Sequence, residues 1–116
     1  MGIFSGTSEQ LLTEQIIIDN GYDNGIDFKK HIDCSGKHIS QATFVIRKKW
    51  ENCEMTGFMF YITYMTGASW IPQYTNSIII DTVLDLITVE NKGRLLIDKI
   101  SQDIRDEKYN WLNYVI

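Results

Sequence analysis

The densest chemistry in this chain lies in residues 31–38, HIDCSGKH, which hold both histidines, Cys34 and Asp33. Neutral imidazole, thiolate and carboxylate are all zinc ligands. His31, Cys34 and His38, with Asp33, could therefore be read as a metal site. The same residues could be read as a thiol nucleophile with an imidazole base, its thiolate favoured by Lys29, Lys30 and Lys37. Spacing argues against both. A structural zinc site draws ligand pairs from two separated segments, and Cys53 has no second Cys or His beside it. Nothing marks an oxyanion hole or an orienting third group. A polar turn around Ser35-Gly36 accounts for the stretch, and neither metal nor cofactor is expected.

A second stretch, DNGYDNGID, spaces Asp19, Asp23 and Asp27 by four residues. It misses the calcium-loop register, because Gly25 is misplaced and no bidentate Glu follows. Turn chemistry explains its Asn, Asp and Gly content. The phosphate-loop, dinucleotide, zinc-protease and serine-hydrolase signatures are all missing. The expectation is a non-enzymatic protein.

Charge carries more information than motif. The chain of 116 residues has a net charge of −4, but the charge is segmented. Residues 1–27 carry five acids and no base; residues 28–50 carry six bases and one acid; residues 51–116 carry nine acids and five bases. The bases Lys29, Lys30, Lys37, Arg47, Lys48 and Lys49 would form an anion or nucleotide site if they converged, with Trp50 or Tyr64 as a stacking platform. A pI of about 5.0 weighs against direct nucleic-acid binding, which favours a dominant basic face.

Large aromatic residues in irregular segments give the remaining candidates. MTGASWIPQYTN has loop composition yet contains Trp70 and Tyr74, and the C-terminal KYNWLNYVI contains Trp111 and Tyr114. Trp and Tyr in such places serve as interface anchors or close one end of a core. Taken with the short length and acidic balance, they lead to the main expectation. It is a small acidic protein that binds and inhibits or regulates a protein partner, in the manner of an immunity protein, toxin inhibitor or phage anti-defence protein. A basic, nucleic-acid-associated partner would suit the acidic segments, and a homo-oligomer is compatible with them. A small-ligand, nucleotide or nucleic-acid module using residues 29–49 is the alternative, and a metal- or thiol-dependent enzyme comes after it.

The elements that must position these residues follow from periodicity. Length and a hydrophobic fraction of 44% fit one domain with its own core. No run of about 20 apolar residues is present, so no membrane span is expected. The sequence MGIFSGTSEQ has neither the basic start nor the apolar stretch of a signal peptide, and a cytoplasmic location is expected. Thr7 with Gln10 forms a capping-box pattern for a helix over Ser8–Asp19 that stops at Asn20-Gly21. Residues 26–32 fit a short helix or a strand. Alternation in QATFVIR and TGFMFYITYMT predicts an antiparallel hairpin over residues 41–66, with ENCEM as its loop. Apolar spacing predicts one helix over 77–90, with a strand at 77–81 left open, a stop at Gly93, and a second helix over 94–114 broken near 106–108. The sum is an α+β fold: a small antiparallel sheet on a central hairpin, with an N-terminal helix and two C-terminal helices packed on one face.

Overall fold

The computed structural model describes residues 8–67 and 70–116. Its elements run α1 (Ser8–Asp19), β1 (Asp23–Asn24), β2 (Asp27–Ile32), β3 (Ile39–Glu51), β4 (Glu54–Thr66), β5 (Gln73–Tyr74), β6 (Ile78–Ile80) and α2 (Val83–Arg105), followed by a 3-10 turn over Trp111–Asn113. The fold is α+β. Six antiparallel strands form one sheet in the order β1-β2-β3-β4-β5, and β6 also pairs with β4 beyond β5.

The hairpin β3–β4 is the spine. Its strands are longer than alternation alone indicated, because the connection is not the five residues of ENCEM but a two-residue turn. Asn52 and Cys53 both take positive φ, 49° and 65°. That is the twist a tight hairpin between right-handed strands requires. Pairing then runs from Glu51 with Glu54 to Ile39 with Thr66.

α1 ends as its sequence indicates. Gly21 adopts φ 91°, and its N–H donates to the Ile18 carbonyl at 3.0 Å, closing the last turn. The capping contact expected of Thr7 lies outside the described residues. Residues 27–32 resolve to strand: Phe28, Lys30 and Ile32 alternate with Asp27, Lys29 and His31, and all six pair with β3.

The C-terminal half differs from expectation in its helix count. Residues 78–80 form β6, and a single helix, α2, replaces the two anticipated. Thr82 caps it, accepting a hydrogen bond from the Asp85 amide at 3.2 Å. Gly93 was expected to stop a helix, but it lies inside one. A Cβ there would stand 3.3 Å from both Ile62 Cδ1 and Phe44 Cε1, so the glycine allows α2 to approach the sheet. The break expected near residues 106–108 is real: Asp106 caps α2, and Glu107 turns to φ 59°.

One face of the sheet forms the core. Phe28, Phe44, Ile46, Phe58, Phe60, Ile62 and Ile80 are all buried against Leu86, Val89, Ile97 and Ile100 of α2 and Ile17 of α1. The tail docks on the same core, with Tyr114 packed edge-on against Tyr64 at 6.3 Å. Among the described residues, no helix is long and apolar enough to cross a membrane.

Candidate functional site

A strand turns successive side chains to opposite faces. The residues between the core positions therefore share the other face of the sheet, which no described helix covers. The register aligns them in rows: Asp27 with Arg47 and Met59; Lys29 with Val45 and Tyr61; His31 with Thr43, Thr63 and Tyr74. All of these but Met59, together with Gln41, line a concavity of about 360 Å³. Its floor includes Thr43 and Val45, which are 7% and 2% exposed. Taller neighbours supply the walls.

Several groups in this concavity are held in place. The Arg47 guanidinium donates through Nε and Nη2 to the two carboxylate oxygens of Asp27, each at 3.2 Å. That hydrogen bonding holds the guanidinium above its ordinary pKa. Its central carbon also lies 5.5 Å from the Tyr61 ring centre. Burial raises the Tyr61 phenol, with Arg47 opposing. The Tyr61 and Tyr74 rings are 6.3 Å apart at 48°. His31 Nδ1 lies 3.1 Å from the Thr43 hydroxyl, which orients the imidazole. β5, which carries Tyr74, is tied down just beyond that residue. The Thr75 hydroxyl accepts from the Ile62 amide at 2.9 Å, and the Thr75 amide donates to the Ile62 carbonyl at 3.0 Å.

The basic segment does not converge. Lys30 and Lys48 point to the covered face, where they pair with Glu90 of α2 at 3.1 Å and Glu14 of α1 at 2.8 Å. Lys37 pairs with Asp98 of α2, and Lys49 with Glu51 on its own strand. Of the six, Arg47 and Lys29 line the concavity on the open face. Trp50, near the hairpin turn, is about half exposed and is remote in register from Lys29. Tyr64 lies in the core at 1% exposure and offers no stacking platform.

The histidine–cysteine stretch separates as well. His31 is on β2, Cys34 is half-buried against the core, and His38 is exposed. The Ser35 amide donates to Asp33 Oδ1 at 2.9 Å, and the Lys37 amide donates to the Cys34 carbonyl at 3.0 Å, so the segment is a polar turn. Burial pushes the Cys34 thiol up, against the direction a nucleophile needs. Among the described residues, no three His, Cys, Asp or Glu side chains are placed to hold a metal ion.

The aromatic candidates divide. Trp70 is 94% exposed, Ile71 72% and Tyr74 53%. They run from the loop after β4 onto the open face. Tyr114, expected at an interface, is instead a core residue: it is buried, and its hydroxyl donates to Asp103 Oδ2 at 3.0 Å. Burial first, and then Asp103, push its phenol up to about 12. The side chain of Trp111 lies outside the described residues. Sequence reasoning passed over Tyr61, Thr63 and His31 as a group, because they meet only when β2 is known to be a strand. The alternation of Phe28, Lys30 and Ile32 was the available signal.

No protein-family model matches the chain, and neither a curated protein nor a solved structure matches it.

Proposed function

We propose that this protein is a non-enzymatic interaction module that binds a protein partner and thereby inhibits or regulates it, as immunity and anti-defence proteins do. The observation that carries this reading is the exposed trio Trp70, Ile71 and Tyr74 in and after the loop that follows β4, with Tyr74 on the sheet face that no described helix covers. A tryptophan left almost wholly in water gains most by burial against another surface. Trp and Tyr beside an arginine are also the residue types that dominate binding energy at protein interfaces. The rim continues into Tyr61 and Arg47, so the contact surface extends onto rigid strands rather than resting on a loop alone. The acid surplus of the chain, −4 overall, would steer a basic partner toward it.

Affinity capture from the cells that make the protein tests the reading, comparing the unaltered chain with Trp70→Ala. The expected result is a discrete partner retained by the first and lost by the second, with equal melting temperatures. Equal retention by both would remove the rim from the interface.

A further inference from the structure

We propose that the concavity on the uncovered face is a binding site for a small organic anion, one that joins a carboxylate or phosphate to a planar ring. This goes beyond partner binding at the rim: Tyr74, Tyr61 and Arg47 serve both, whereas Trp70 and Ile71 belong to the rim alone and Lys29, His31 and Thr43 to the concavity.

The charge of the site decides the sign of the ligand. Lys29 and Arg47 stand against Asp27, with His31 beside them, in a chain that is acidic as a whole. Lys29 is the exception among the six bases of residues 28–50. The other five each have a carboxylate within ion-pair distance, whereas Lys29 forms no ion pair among the described residues. Asp23 stands opposite it in the register, but no ion pair forms between them. An ammonium without a carboxylate, beside a guanidinium fixed by two hydrogen bonds, is an arrangement for receiving an oxyanion. His31 is oriented by Thr43 through one ring nitrogen, which leaves Nε2 as a further hydrogen-bonding group.

Shape decides the rest. A volume of about 360 Å³ falls at the low end for small-molecule sites. The hollow floor of Thr43 and Val45 admits a ligand beside the tyrosines. Tyr61 and Tyr74 give that ligand two ring faces on adjacent strands, and such faces accept a planar group of any substitution pattern. Strand pairing fixes the backbone of all of these residues, and Arg47 and His31 are also held by Asp27 and Thr43, so little ordering beyond the Lys29 side chain is required on binding.

The test titrates the full chain, at low ionic strength, with adenosine monophosphate, benzoate and inorganic phosphate, by calorimetry and by amide NMR. Adenosine monophosphate or benzoate should bind, shifting the amides of Lys29, Thr43, Tyr61 and Thr63. Inorganic phosphate should bind at least about tenfold more weakly, because it lacks a ring to stack. Binding of the nucleotide alone identifies a phosphate ligand, and binding of benzoate alone a carboxylate. Lys29→Glu should reduce binding at least about tenfold while the melting temperature holds, and Tyr61→Leu should lower the ring-bearing probes to the level of phosphate. Lys92→Glu, on α2 at the opposite side of the sheet, should change nothing. Failure of all three probes at millimolar concentration overturns the proposal, as does undiminished binding by Lys29→Glu. If no probe binds but Lys29→Glu abolishes partner capture, the concavity receives an acidic group of the partner and the small-ligand site is wrong. Loss of capture in Trp70→Ala with intact anion binding separates the two readings.

Discussion

The two faces of the sheet draw on the same strands and the same residue types, yet use them differently. Lys29 and Lys30 are neighbours in sequence. Lys30 points to α2, where its ammonium reaches Glu90 and lies 5.4 Å from the Tyr22 ring centre, whereas Lys29 is exposed and pairs with no carboxylate among the described residues. Arg47 and Lys48 are split in the same way. Lys48 crosses to Glu14 of α1; Arg47 remains on the open face with Asp27. The covered face uses its bases to fasten acidic helices to a basic sheet. The segmentation of charge along the chain, acidic then basic then acidic, is largely this fastening. What it leaves on the open face is a smaller set of polar and aromatic groups, among them Lys29, His31, Tyr61 and Tyr74.

The division can be broken most forcefully in the core. Phe44 lies on the covered face, 5.4 Å from Phe60, and is fully buried. Phe44→Ala should destabilise the fold by about 3–5 kcal/mol, measured by urea unfolding. Thr63→Ala on the open face should change it by less than about 0.5 kcal/mol. Comparable losses from the two would mean that the faces are not distinct in role.

Next in size is the polar junction at Glu90. Its carboxylate accepts from the Tyr22 hydroxyl at 2.7 Å, from Lys30 at 3.1 Å and from Arg94 at 2.9 Å. Burial alone would raise its pKa; the three donors, Tyr22 first, outweigh burial and hold it below the usual carboxylate range. A carboxyl whose folded value lies below its unfolded value, about 4.3 for Glu, stabilises the fold fully above that unfolded value. The contribution is lost as pH falls through the folded value. Glu90→Ala should therefore cost about 1–3 kcal/mol at pH 7, because it leaves three donors without their acceptor. The gap to the unaltered chain should narrow in acid, and a gap that widens would contradict the assignment. At the small end, Lys37 and Asp98 are both solvent-exposed, and Asp98→Asn should cost no more than about 1 kcal/mol.

Much of the architecture was legible because it is written in period-2 and period-3.6 patterns. Ala42, Phe44 and Ile46 set against Phe58, Phe60, Ile62 and Tyr64 could hardly form anything but a two-faced hairpin. The errors have physical causes. Gly93 reads as a stop because glycine ends helices, but here it serves close packing, a role that depends on Phe44 and Ile62 some 49 and 31 residues away in sequence. Tyr114 reads as an anchor because it is near the end of the chain, and only the docking of the tail on Tyr64 reveals it as core. The candidate site was the least legible part. Its members come from four strands, and the register that aligns His31, Thr43, Thr63 and Tyr74 is not encoded in any one segment. Trp70 and Tyr74 could be nominated from composition, since large aromatics in a loop must be covered by something.

The central claim is that recognition uses the open face and its rim rather than the exposed side of α2, where Leu84, Ile87 and Leu95 also face solvent. Photo-crosslinking in the producing cells decides between these surfaces most directly, with benzoylphenylalanine incorporated at position 74 in one sample and at position 95 in another. A discrete partner adduct from position 74 and none from position 95 is the predicted result. An adduct from position 95 alone would contradict the account and move the interface to the helix.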